Sequence, residues 1–340
     1  MGIIRVKTSR FRSCLLLLIS GLTLVVGNTT AFAATGGTTS PTVATQQLKI
    51  SPVRTDLTIS PGDTGTAKVI ISNLTRSQIT IQPIENDFVA GGEEGQPALI
   101  LNPDAYAPSH SLKRFMLPLQ NLTIPADSST SVDVTIAVPK TAQAGGYFGA
   151  IRFAPVAPGS STPTSVALDE SVASLILMTV PGPTYEDLIL TNFDMQQNGS
   201  TATNFRTPNN LSLLVRFENR GNLQEAPFGQ VYVQKGKKLL YTYNFNDQQP
   251  RGEILPDSFR RWYVPIKGMG KFGEYTVGAD FTYGTKDETI DITKTIWIIP
   301  TTYIIAAVVT ILVLAALVIG VWTFLKSYKR RILSASRRRY

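Results

Sequence analysis

Four carboxylates, Glu85, Asp87, Glu93 and Glu94, form the one dense acidic group of this 340-residue sequence. Oxygen donors so close together could hold a hard cation such as Ca²⁺, or supply the acid and base of a hydrolysis. A solvated acidic loop is the alternative. Little else could do chemistry. The single histidine, His110, sits in Ala107-Pro-Ser-His-Ser111, a segment expected to be an exposed loop. One histidine leaves no His-rich metal site and no ready Ser-His-Asp triad. The single cysteine, Cys14, lies near the N-terminus inside an apolar run. There is no phosphate-cradling GxxxxGK[ST], no metal-binding helix motif and no LPxTG sorting signal. The residues therefore point to a chain that is not an enzyme and uses no cofactor.

Binding is the better use of what remains. Asp87, Phe88, Glu93 and Glu94 belong to one candidate surface, which continues through Lys113, Arg114 and Phe115. A second candidate is Trp262 and Tyr263, with Tyr241, Tyr243 and Phe245 nearby. Neighbours on a strand point to opposite faces, so one of Trp262 and Tyr263 should be core and the other exposed. An exposed aromatic can stack on a sugar ring or anchor a protein partner.

The elements that must carry these side chains read as short strands. Ala67, Val69 and Ile71 alternate with Lys68, Ile70 and Ser72, and Val132, Val134, Ile136 and Val138 with Asp133, Thr135 and Ala137. Such period-two runs between turn residues predict antiparallel β-sandwiches. The pattern occurs twice. A strand ends at Asn73 and another at Asn219. Ile124-Pro-Ala-Asp127-Ser128 precedes one late strand and Leu255-Pro-Asp257-Ser258 another. Gly-Gly-Tyr147 matches Phe-Gly-Glu-Tyr275. The Gly-x-Tyr form resembles an immunoglobulin tyrosine corner, in which the phenol bonds to backbone. The fold class is thus all-β, with two tandem immunoglobulin-like sandwiches over 47–180 and 184–300 and one C-terminal transmembrane α-helix. Pro181-Gly-Pro183 marks the boundary; 154–165 is a long hairpin loop or a linker. The first copy is longer between its Asn and its late strand, which places an insertion at 85–121. Long insertions in a compact domain are usually functional or disordered, and the apolar-basic part over 112–117 is expected to be ordered.

Residues 303–325 contain no charge and at helical rise cover about 34 Å, enough for a bilayer core. Seven basic and no acidic residues follow, in a tail over 326–340. The positive-inside rule puts that tail in the cytoplasm and the rest outside, as a single-pass cell-membrane protein. Residues 1–34 fit a signal peptide: a basic n-region, an apolar run over 14–26 and Ala31-Phe32-Ala33. An uncleaved signal anchor is the rival reading. A flexible leader over 35–46 completes the layout.

The formal charge of +8 reflects this topology. Four of the 32 basic residues lie in the signal and seven in the tail, which leaves 21 against all 24 acidic ones. A net −3 on the exported part gives no support to nucleic-acid binding. Without cysteine in the mature chain, no disulfide can form, as is common in exported Gram-positive proteins.

The chain resembles the WxL-interacting proteins of Gram-positive bacteria. Ser51-Pro52 and Pro61-Gly62 match the opening strand and turn of that family, Ile71-Ser-Asn73 its Asn-terminated strand, and 144–153 its Gly-Gly-rich strand. The resemblance spans about residues 47–325. It implies a first domain that binds peptidoglycan and a second that binds host or partner proteins, and it carries no individual binding residue across. The expected function is a non-enzymatic surface protein that binds cell-wall peptidoglycan or surface proteins. A spacer subunit of a membrane complex is the alternative, and a carboxylate hydrolase comes last.

Overall fold

In Thr64–Asn73 the side chains of Ala67, Val69 and Ile71 are fully buried, while Lys68 and Ile70 between them are exposed. The opposing Ser129–Ala137 buries Val132, Val134 and Ile136 in the same way. Register pairs Ala67 with Val134 and Val69 with Val132, so both apolar faces point to one core.

The computed structural model describes residues 47–156 and 171–336, with side chains to residue 328. The expected signal peptide (1–34) and leader (35–46) lie outside the described residues, as do 157–170 and the last four residues of the tail. In chain order the first strands are β1 (Leu48–Ser51), β2 (Arg54–Thr58), β3 (Thr64–Asn73), β4 (Ile79–Ala90) and β5 (Pro97–Leu99). A 3₁₀ turn at Lys113–Phe115 precedes β6 (Leu122–Ile124), β7 (Ser129–Ala137), β8 (Gly145–Pro155) and β9 (Val172–Val180). Then come β10 (Leu188–Gln197), β11 (Ser200–Thr201), β12 (Asn204–Phe205), β13 (Leu211–Asn219) and β14 (Phe228–Lys235). The last strands are β15 (Lys238–Phe245), β16 (Ser258–Ile266), β17 (Gly273–Tyr283) and β18 (Glu288–Ile298).

These strands form two sandwiches of matching topology. The first packs β1-β3-β7 on β2-β9-β8-β4-β5, with β6 beside β4. The second packs β11-β10-β13-β16 on β12-β18-β17-β14-β15. In each, one short strand runs parallel to the last: β2 along β9, and β12 along β18. Because β8 and β9 are antiparallel neighbours, the Pro/Ser-rich stretch after β8 connects strands of one sheet rather than two domains.

The repeat extends to single side chains. Asn73 and Asn219 are both buried. Asn73 Nδ2 donates to the carbonyls of Ser77 (2.8 Å) and Pro125 (2.9 Å), and its Oδ1 accepts from Thr75 N. Asn219 Nδ2 donates to Leu223 (2.7 Å) and Ile254 (2.9 Å), and its Oδ1 accepts from Gly221 N. Each amide thus ties its strand end to the carbonyl four residues on and to the approach to the late strand. The tyrosine corners are present as well: the Tyr147 hydroxyl donates to the Gln143 carbonyl, and the Tyr275 hydroxyl accepts from Gly270 N.

Each sandwich has its own core. Ile81, Ile124, Ile151 and Phe153 fill the first. The second is aromatic, with Phe281 edge-on to Phe217 at 5.2 Å and to Phe245 at 4.9 Å. Both sandwiches and the C-terminal helix belong to one compact unit. That helix, α1 (Thr301–Ser336), follows β18 after two residues. It is long and apolar enough to cross a membrane, and among the described residues nothing buries its apolar stretch. An uncovered helix that is apolar all round needs lipid or a partner.

Candidate functional site

The expected insertion at 85–121 begins later than its composition implies. Strand β4 runs on to Ala90, so Glu85, Asp87 and Phe88 are strand residues. Asn86, Asp87 and Phe88 are buried in succession, which hides the alternation. The excursion from the fold starts at the tip of the β4–β5 hairpin, where Ala90 pairs with Pro97.

The four carboxylates do not converge. Asp87 is fully buried. Its Oδ2 accepts from Ala107 N (2.9 Å) and Ser111 Oγ (2.6 Å), and its Oδ1 from Lys113 N (2.8 Å). One side chain thereby pins the whole segment after β5. Glu85 Oε1 accepts from Leu119 N at the far end of that segment. Glu93 and Glu94 leave the first sandwich altogether. Glu93 makes a two-pronged ion pair with Arg216 of β13, at 2.9 and 2.6 Å. Glu94 meets Arg261 of β16 at 3.2 Å, and Arg261 N donates to the Glu93 carbonyl at 2.7 Å. The Arg216 hydrogen bonds hold the Glu93 carboxyl below its usual range. Neither a cation cage nor a free acidic loop forms. Among the described residues no group of three or more potential metal ligands comes together.

The hairpin tip is therefore a clasp between the sandwiches. Phe88, with Phe148, Ala150 and Leu177, forms a small apolar cluster against which Leu255 of the second sandwich packs. Arg54 of β2 pairs with Glu253 at 2.7 Å. Burial works against the Arg54 charge, and the bonds to Asp56 and Glu253 outweigh it, so the guanidinium is held above its ordinary value. Arg260 donates to the Glu253 carbonyl and lies between Gly95 and Gly252. A Cβ on Gly95, whose φ is +78°, would stand 2.1 Å from Arg260 Cζ; one on Gly252 would stand 2.7 Å from Nη2. Burial pushes the Arg260 guanidinium down from its ordinary value. A cavity of about 230 Å³, lined by Arg54, Phe88, Arg251 and Arg260 among others, remains under the clasp. On the other side Asn222 bonds to Ala144, Gly146 and Tyr185, joining linker and both sandwiches. His110, expected in an exposed loop, is half-buried there, with Nδ1 2.6 Å from the Gly146 carbonyl.

Of the sequence candidates, Asp87 and Phe88 thus face the interior, and Glu93 and Glu94 face the second sandwich. Asp87 and Phe88 are closed to an outside ligand, Glu93 is half-covered by its pair with Arg216, and Glu94 stays exposed at the rim of the clasp. Phe115 turns inward, 5.0 Å from the Tyr147 ring. Arg114 is exposed and Lys113 half-buried, and both lie over Tyr106: Lys113 Nζ is 4.8 Å and Arg114 Cζ 4.9 Å from its ring centre. Lys113 also donates to the carbonyls of Pro103 and Ala105. Tyr106 is 48% exposed. Sequence inspection missed it because its two cations arrive only when Asp87 folds the segment back. On β16, Trp262 packs edge-on to Phe217 and Phe245, while Tyr263 is 52% exposed.

No protein-family model matches this chain, and no curated protein matches it either. Solved structures with some likeness include the class 5 fimbrial chaperone CfaA, at 15% identity and a TM-score of 0.39, over 73% of this chain and 98% of that one. Others are the E. coli chaperone DraB, at 11% identity and a TM-score of 0.31 over 74% of this chain and 96% of that one, and a chain from the Salmonella enterica SafA pilin–SafB chaperone complex, at 11% and 0.33 over 73% and 96%.

Proposed function

We propose that this protein is a non-enzymatic, membrane-anchored binding module that holds cell-wall peptidoglycan through its first sandwich, as the resemblance to WxL-interacting proteins implies. α1 lies in the membrane, its basic tail in the cytoplasm, and the clasped sandwiches stand outside. The observation that carries this reading is the exposed Tyr106 ring flanked by Lys113 and Arg114. The two cations suit the carboxylates of the peptide stems, and a sugar ring can pack on the part of the Tyr106 ring that they leave exposed. Tyr263 on the second sandwich is the corresponding anchor for a protein partner. The clasp also favours a second reading, a stiff spacer in a membrane complex.

Sedimentation of the detergent-solubilised full chain with insoluble peptidoglycan tests the proposal. Retention is expected, with a loss of about tenfold in affinity when Tyr106→Ala and Arg114→Ala are combined. Both side chains are exposed, so folding should survive. No retention, together with co-purifying membrane proteins, would favour the spacer.

A further inference from the structure

The end of the second sandwich next to α1 carries a charge pattern that the proposed function does not use. Its loops hold Arg206, Lys235, Lys237, Lys238, Lys267 and Lys271, all exposed. They contain no acidic residue; the nearest is Glu274, at the start of β17. The opposite end is mixed, with Glu225, Asp247, Glu253, Asp257 and Asp287 in its loops beside Arg220, Arg251 and Lys286. The basic side chains share one level because of strand register. Gly273 pairs with Ile298, the last residue of β18, and Gln234 pairs with Thr276, which brings the Lys235–Lys238 turn to the same end. Lys235 Nζ donates to the Phe272 carbonyl, and Arg206 reaches the Ile299 carbonyl.

Aromatic residues lie among them. Phe272 and Trp297 are 48% and 40% exposed. The Phe272 ring lies tilted against Tyr303, in the first turn of α1, with ring centres 5.0 Å apart. Only Ile299 and Pro300 separate β18 from the helix, and Ile299 N is bonded to the Phe205 carbonyl. There is no slack for the sandwich to stand away from the plane where the helix enters lipid.

We infer that this end of the second sandwich rests on the bilayer that receives α1 and binds its anionic phospholipid headgroups. Aromatic rings and lysines above an apolar helix suit the headgroup layer, and juxtamembrane basic clusters are drawn to anionic lipid. The contact would fix the tilt of the paired sandwiches over the membrane. It requires α1 to be inserted but is independent of what the first sandwich binds.

The test uses the full chain in nanodiscs of phosphatidylcholine, with or without phosphatidylglycerol. In a protein carrying both Trp262→Phe and Trp322→Phe, Trp297 is the one tryptophan left and reports the base through quenching by a spin label at headgroup depth. Quenching should rise several-fold with phosphatidylglycerol and fall back at high salt, where surface charge is screened. It should also fall back when Lys235, Lys237, Lys267 and Lys271 are together replaced by serine. Quenching indifferent to lipid charge overturns the inference. So does an unchanged response in the substituted protein. If that protein fails to fold, the salt titration of the parent decides alone. Trp322 in the unsubstituted chain, quenched by an acyl-chain label, reports insertion of α1 separately; without insertion the inference fails for lack of a tether.

Discussion

At the scale of single residues, Glu225 is a carboxyl that burial brings to titrate near neutral pH. It is 3% exposed, and burial, with the charges of Glu186 and Glu288, pushes its pKa up to about 7. The folded state then holds a proton that the unfolded state has released between pH 4.5 and about 7. Stability must fall as pH rises through that window, by about 3 kcal/mol at most. Glu225→Gln should remove most of this slope and leave the protein more stable than the parent at pH 8. Denaturant unfolding at a series of pH values checks it; parallel curves for parent and variant would refute it. The Asn clamps offer a second test. Removing the amide of Asn219 leaves the Leu223 carbonyl and the Gly221 N–H without that partner, while the Ile254 carbonyl keeps its bond from Glu225 N; the loss costs about 2–4 kcal/mol. Asn219→Ala should show that loss in urea unfolding, and Asn73→Ala a similar one, since both amides do the same work.

At the scale of elements, the β4–β5 hairpin decides how the sandwiches are joined. Its Glu93–Arg216 pair is two-pronged and partly buried, so it should couple more firmly than an open surface pair. A double-mutant cycle with Glu93→Ala and Arg216→Ala should return a coupling of about 1 kcal/mol. Each single variant should also speed proteolysis in the linker around Pro181–Pro183. A coupling near zero would make the clasp a bystander. This hairpin is also where sequence reading fell short. Most strands were visible from alternation, as in β3, β7 and β13, because each has one wet and one dry face. Paired Asn and Tyr signals located the duplication. The end of β4 was not visible, since burial on both faces erases the alternation at Asn86, Asp87 and Phe88. Nor could a single sequence pair Glu93 with a residue 123 positions away. Glu93 and Glu94 therefore looked like a free acidic loop, and Tyr106 like an ordinary loop residue.

At the scale of the molecule, the joint should make two sandwiches unfold as one. An apolar centre at Phe88, Phe148 and Leu255 is ringed by Arg54–Glu253, Arg216–Glu93 and the Asn222 bridges. Interfaces inside a chain generally leave domains free to move unless they are large or apolar. Here Gly95 packs on the Arg260 guanidinium, which any Cβ at that position would have to displace. Gly95→Val would meet both that contact and a φ of +78° that a β-branched residue avoids. Gly95 lies outside both cores, so neither sandwich should lose its own packing. Calorimetry of the full chain in detergent is expected to show one transition for the parent. Gly95→Val should split it in two, with the total enthalpy nearly kept. Two transitions already present in the parent would mean that the clasp does not couple the sandwiches, and the rigid projection from the membrane would lose its basis.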